Sequence, residues 1–158
     1  MGYTSRFLTL TKGTGVINRI FHGYGKFEGE MDGRKNGALI SMANGKAVAF
    51  AIFNLQARGE MFVTHNDPVY EGMIVGLAPK PGDMIINVMK GKQLTNMRTQ
   101  GTDENVVLTP VRQMSIAEQL SMLNTDEALE ITPKSLRLRK AILNPTDRKK
   151  NEKSGTPL

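Results

Sequence analysis

Between Ala38 and Met89 the chain is cut into short apolar runs, each bounded by Gly, Pro, Asn or Asp: Ala38–Met42, Lys46–Ile52, Met61–Thr64, Val69–Tyr70, Met73–Val75 and Met84–Met89. This punctuation constrains the fold more than any other feature. Parallel neighbours need a crossover of a dozen or more residues, usually a helix, and the intervals here leave no room for long ones. A mainly β arrangement with antiparallel or mixed pairing is therefore expected. Asn44-Gly45 between two apolar runs reads as a hairpin, because that dipeptide tolerates the positive φ of a type I′ turn. Phe53–Arg58 reads as one helical turn stopped by Gly59, and Asn66-Asp67-Pro68 as a polar turn.

The flanks add short helices and further strands. Tyr3–Leu10 reads as a helix ending before Gly13 and Gly15, followed by a strand over Val16–Tyr24. Val106–Leu108 reads as another strand. Ser115 and Glu118 have capping-box spacing at the head of a helix whose Ile116, Leu120 and Leu123 share one face. Leu129–Ile131 and Leu136–Arg139 alternate as strands, with Arg137 and Arg139 projecting from the same side. The fold class is α+β.

Catalytic chemistry has little support. The chain has no cysteine, which rules out thiolate catalysis and Cys-based zinc sites and fits a reducing compartment. His22 and His65 lack ligand spacing, and Asp32, Asp67 and Asp83 sit beside turn residues, where carboxylates usually bond the backbone. There is no phosphate-binding G-x-x-x-x-G-K-[ST] loop, since Gly45-Lys46 is followed by Ala47. Neither catalysis nor a bound cofactor is expected. No run approaches the roughly 18 apolar residues of a membrane span, so a cytoplasmic protein without membrane contact is expected.

Binding is better supported. Lys90–Glu104 is basic, bounded by Gly91 and Gly101, and without clear helix or strand periodicity, so it reads as a reaching loop. Lys90, Lys92 and Arg98 suit phosphates, and Thr95, Asn96, Thr99 and Gln100 suit sugars, phosphates or unpaired base edges. From Thr132 to Lys153 stand eight basic residues (Lys134, Arg137, Arg139, Lys140, Arg148, Lys149, Lys150, Lys153) against Asp147 and Glu152. That net +6 equals the charge of the whole chain. Such a segment marks RNA, a membrane surface or a solvated tail, and an arginine pair on an edge strand also blocks aggregation. Asn151–Leu158 has almost no apolar content and is expected to be a disordered tail.

Five stretches, taken in order, carry a family resemblance: Gly33–Gly37, Phe53–Gly59, Tyr70–Gly76, Lys90–Arg98 and Thr132–Lys140. Together they closely resemble the C-terminal part of the BipA/TypA family of ribosome-associated translational GTPases. The resemblance implies that residues 1–24 are the last helix and strand of a domain shared with elongation factor G, that 25–150 form the family-specific C-terminal domain, and that 151–158 are the tail. It implies a parent that holds GTP and Mg on a domain absent from this chain and occupies the factor site of the 70S ribosome, with the C-terminal domain approaching 23S rRNA and the A-site tRNA acceptor end. It places Lys90, Lys92, Thr95, Asn96, Met97 and Arg98 on the ribosome-reaching loop, and brings Lys134, Arg137, Arg139, Lys140, Arg148, Lys149 and Lys150 near RNA. Gln93 stands where relatives commonly carry a second lysine. The strand at Val16–Tyr24 would lack its sheet partners and could pair with a second copy. The competing expectation is a protein-interaction domain with no direct RNA contact.

Overall fold

The computed structural model describes residues 3–26, 34–91 and 107–154. In chain order the elements are α1 (Tyr3–Leu10), β1 (Ala38–Ser41), β2 (Gly45–Lys46), α2 (Ala49–Gln56), β3 (Glu60–Met61), β4 (Pro68–Val69), β5 (Ile74–Leu77), β6 (Met84–Ile86), α3 (Ile116–Met122), β7 (Glu127–Ile131), β8 (Leu136–Lys140) and α4 (Pro145–Ser154). The α+β class and the mixed sheet agree with the sequence reading.

The central sheet has the order β3-β5-β1-β6. β5 is antiparallel to both β1 and β3, and β6 is parallel to β1. Side chains alternate across a strand, so β1 and β5 send neighbouring residues into two different cores. Leu39 and Val75 join Ile52 and Leu55 of α2 with Met61, Val63, Val69, Ile86 and Val88. Ala38, Ile40 and Ile74 instead meet Leu138 of β8, with Phe62, Met114, Leu123 and Leu129 packed around them. Covered on both faces, β1 and β5 are buried along their whole length, which is why they read as continuous apolar runs. Truncating a fully buried residue here, such as Ile52, costs about 2–5 kcal/mol.

Gly72 joins the sheet to the β7–β8 hairpin. Its N–H donates to the Ser41 carbonyl at 3.0 Å, and its own carbonyl accepts from the Lys140 N–H at 2.9 Å. The residue has φ +82°, and a Cβ there would come within 2.7 Å of the Leu143 Cα, so the joint excludes a side chain on two counts.

Several expectations are corrected. No hairpin forms at Asn44-Gly45: β2 pairs with β4, and Gly45 is not among the positive-φ residues. The run after it is helix α2, because an apolar stretch of that length is ambiguous between a buried strand and a buried helix, and alanines at positions 49 and 51 suit the helix. Val16–Tyr24 is irregular rather than a strand, with Val16, Ile20, Phe21 and Tyr24 exposed; no described strand pairs with it, and β-propensity alone does not hold a strand. The edge on which self-pairing was premised is thus not formed. Of the strand expected at Val106–Leu108, Val106 lies outside the described residues and Val107 and Leu108 are irregular.

The capping box at α3 is present, with the Glu118 N–H donating to Ser115 Oγ and the Ser115 N–H donating to Glu118 Oε2. These contacts from Ser115, the backbone bond above all, hold the exposed Glu118 carboxyl below the usual carboxylate range. The buried face of α3 differs from expectation, however. Ile116 and Leu120 are exposed while Gln119 is buried. α4 runs through Ser154, four residues into the expected tail.

Candidate nucleic-acid interface

The hairpin that carries the first half of the basic segment is built by local chemistry. At its tip, Thr132 Oγ1 accepts from the Ser135 N–H at 2.9 Å and donates to the Ser135 carbonyl at 2.8 Å, closing the turn around Pro133 and Lys134. Lys134 is exposed at that turn and has no ion pair among the described residues. Behind it, β7 and β8 pair with Glu130 opposite Arg137, Ala128 opposite Arg139 and Glu127 opposite Lys140. Opposite charges facing one another across strands stabilise the pairing.

Arg137 and Arg139 lie on one side of β8, as expected, and both are half-buried. Arg137 donates to Glu130 Oε1 at 3.2 Å, and Arg139 donates to the Lys140 carbonyl at 3.1 Å. Glu130 also accepts from the Tyr70 hydroxyl at 2.5 Å. Burial, reinforced by that carboxylate, pushes the Tyr70 phenol up to about 12.

Leu136, Leu138 and Lys140 occupy the other side of β8, toward the core. Lys140 is 2% exposed, and its Nζ lies 2.5 Å from Asp83, 2.7 Å from Asp126 and 3.0 Å from Glu127. The Glu127 side chain is fully buried. Its Oε1 also accepts from Arg34 at 2.7 Å, and its Oε2 accepts from Arg34 at 3.1 Å and from the Asn124 N–H at 3.2 Å. Every oxygen of this buried carboxylate is therefore paired. Burial pushes the Lys140 ammonium down, but the three carboxylates outweigh it and raise its pKa. Asp83 is likewise opposed by burial, which the Ala38 N–H and Lys140 overcome, holding its carboxyl below the usual range. An ammonium so enclosed has no face left for phosphate, so Lys140 is corrected from RNA ligand to structural cation.

Helix α4 carries the other half. Asn144 Oδ1 accepts from the N–H groups of Thr146 at 2.9 Å and Asp147 at 3.3 Å, while Pro145 supplies a fixed φ at the first turn. Asp147 in the first turn and Lys153 in the last complement the helix dipole. Arg148 donates back to the carbonyls of Ile142 at 3.0 Å and Leu143 at 2.6 Å. Lys149 and Lys150 are exposed, and no residue of the helix is buried. Lys90 is also exposed. Lys92, Thr95, Asn96, Met97 and Arg98 lie outside the described residues.

Gln119, Arg34 and Glu127 were not singled out by sequence reasoning. Lys140 carried a signal, since extending the alternation of Leu136 and Leu138 by two residues turns it inward. Among the described residues no group of three or more His, Cys, Asp or Glu could hold a metal ion, and no helix is long and apolar enough to cross a membrane.

Residues 36–145 match the family described as TypA/BipA C-terminal domain. The chain is 46% identical over 159 residues to the large ribosomal subunit assembly factor BipA of Buchnera aphidicola subsp. Schizaphis graminum, covering 100% of the chain and 26% of that relative. It is also 46% identical over 151 residues to the proteins of that name from Salmonella typhimurium and Escherichia coli K12, covering 95% of the chain and 25% of each. The chain thus spans about a quarter of the length of the curated relatives it matches.

Proposed function

The chain belongs to the TypA/BipA C-terminal domain family, and on that premise we propose that it is the RNA-contacting module of a large-subunit ribosome factor. It binds 23S rRNA and the A-site tRNA acceptor end on the 70S ribosome through Lys134, Arg137, Arg139, Arg148, Lys149 and Lys150, together with the loop residues Lys90, Lys92, Thr95, Asn96, Met97 and Arg98. Residues 1–24 belong to a preceding domain like that of elongation factor G, and 25–150 form the module. GTP and Mg belong to a domain of the parent protein outside this chain, and the module itself performs no catalysis. The protein works in the cytoplasm.

The observation that supports this reading most is α4: a helix with no buried residue gives nothing to the core, yet it carries four of the basic residues. Cations left facing water are what phosphate neutralisation requires, and counterion release then drives association. The purified chain should co-sediment with 70S ribosomes at low salt and lose most of that binding as salt rises from roughly 50 to 200 mM. Binding that resists salt would favour an apolar protein contact and overturn the RNA reading.

A further inference from the structure

A cleft of about 700 Å³ opens between Phe62, just after β3, Met73, just before β5, the segment leading into α3, and the β7–β8 hairpin. Its size falls within the usual range for small-ligand sites. Arg112, Lys134 and Arg137 line it, with no Asp or Glu among the described lining residues; Arg112 is paired with Glu60 and Glu118 and Arg137 with Glu130, which leaves Lys134 as the cation with no ion pair among the described residues. Gln119 also lines it, and that residue is the anomaly. The residue is 8% exposed, and its Oε1 has no hydrogen-bond partner among the described residues. Among the described residues Nε2 donates only to the Met114 carbonyl, at 3.4 Å, which leaves its second N–H open. A buried acceptor left unmade costs about 1–3 kcal/mol, and α3 has Ile116 and Leu120 that would fill an inward position without that cost.

A primary amide with an open acceptor and an open donor side by side matches the edge of a nucleobase. The terminal torsion of a glutamine is soft enough to turn that edge toward an occupant. Glutamine pairs best with adenine, which offers an amino donor beside a ring-nitrogen acceptor. Phe62 and Met73 supply apolar surface for a ring, and Lys134 at the lip supplies a cation without an ion pair among the described residues. We propose that this cleft receives one unpaired adenine of an RNA strand, with Gln119 reading its edge and Lys134 holding the adjoining phosphate. The proposal rests on the RNA-contact reading above and adds to it a site for a single base.

The test compares the affinity of the full chain for hexa-adenylate and for an abasic hexamer with the same phosphates, by fluorescence anisotropy. Hexa-adenylate should bind about tenfold more tightly, within what one bidentate base contact is worth. Gln119→Leu should bring it down to the abasic value while leaving abasic binding unchanged. On the unaltered chain carrying carbon-13 methionine methyls, hexa-adenylate should shift the resonances of Met73 and Met114, which line the cleft, and leave that of Met84 unmoved. Equal binding of the two hexamers, or unmoved Met73 and Met114 methyls, overturns the proposal. AMP binding as tightly as the hexamer would assign the cleft to a free nucleotide, and capture of an acidic peptide in place of RNA would assign it to a protein; either overturns it too. If ribosome sedimentation persists without base preference, the cleft assignment falls and the ribosome reading stands. Base preference without sedimentation has the opposite meaning.

Discussion

Strand β8 and helix α4 belong to one basic stretch of sequence, yet they use their charge in opposite ways. In β8 the Lys140 ammonium is enclosed by Asp83, Asp126 and Glu127, and Arg137 faces Glu130 across the hairpin. In α4, Lys149 and Lys150 face water, and the one ion pair among the helix's described side chains, Lys150 with Asp147 at 3.3 Å, is 74% and 60% exposed. Burial is what separates them. A charge removed from water persists only with partners, so an inward lysine collects carboxylates, whereas an outward one keeps its field for whatever approaches. A charge count along the chain therefore overstates what is available to RNA.

Lys140→Met should give the largest effect. Removing one partner from a buried ionic cluster costs about 3–5 kcal/mol, because Glu127 stays buried with one contact fewer. At about 3 °C per kcal/mol for a chain of this size, melting followed by circular dichroism should fall by about 10 °C. The salt dependence of ribosome binding should be unchanged. A variant that melts normally but binds RNA weakly would place Lys140 with the outward cations and dissolve the distinction.

Gly72→Ala should come next, with a loss of about 2–3 kcal/mol from adverse φ and contact with Leu143 combined. Gly13→Ala is the control: it has a similar φ of +79° but no described atom within 4 Å of an added Cβ, and should cost only about 1 kcal/mol. Equal losses at the two positions would mean that the joint between sheet and hairpin tolerates a side chain.

These variants also mark what could be read from the sequence. The capping box of Ser115 and Glu118 and the strands at Leu129–Ile131 and Leu136–Arg139 were legible, because each depends on residues close in sequence. The turn at Asn66-Asp67 was legible for the same reason: Asp67 Oδ2 accepts from the Thr64 N–H at 2.6 Å. The pairing of β2 with β4 and the helix at Ala49–Gln56 were not, since both are decided by packing with distant residues. The strand expected at Val16–Tyr24 failed because a strand needs a neighbour that the described residues do not provide. At the site, outward Arg137 and Arg139 followed from alternation, and the same alternation placed Lys140 inward had it been extended. Gln119 gave no warning, since a two-turn helix can bury either of two adjacent faces and only the surrounding contacts decide.

Acid should sharpen the comparison further. The Asp83 carboxyl titrates lower in the folded chain than in the unfolded one. Its contribution is present above the ordinary carboxylate value of about 4 and is lost as pH falls through the folded value. Lys140, raised in the folded chain, contributes fully below its ordinary value of about 10.4 and loses that contribution as pH rises beyond it. Asp83→Asn should therefore lower stability at neutral pH and flatten its decline below about pH 4, read from urea midpoints across the acid range. An acid limb as steep as that of the parent chain would show that Asp83 contributes little to holding Lys140.

The smallest effect on stability, and the most telling one for function, belongs to α4. Lys149→Ala with Lys150→Ala removes two exposed cations from a helix without buried residues. Alanine is at least as good a helix former as lysine, so the helix should persist and the melting temperature should stay within about 2 °C. If both lysines neutralise phosphates, the slope of log affinity for ribosomes against log salt should become shallower by about 1.4–1.8, from roughly 0.7–0.9 per contact. Lys140→Met should show the reverse pattern, with a large fall in melting temperature and no change in slope. The two variants together separate charge that holds the fold from charge that faces a partner. An unchanged slope in the α4 variant would remove this helix from the proposed RNA contact, leaving the hairpin and residues 90–98 to carry it.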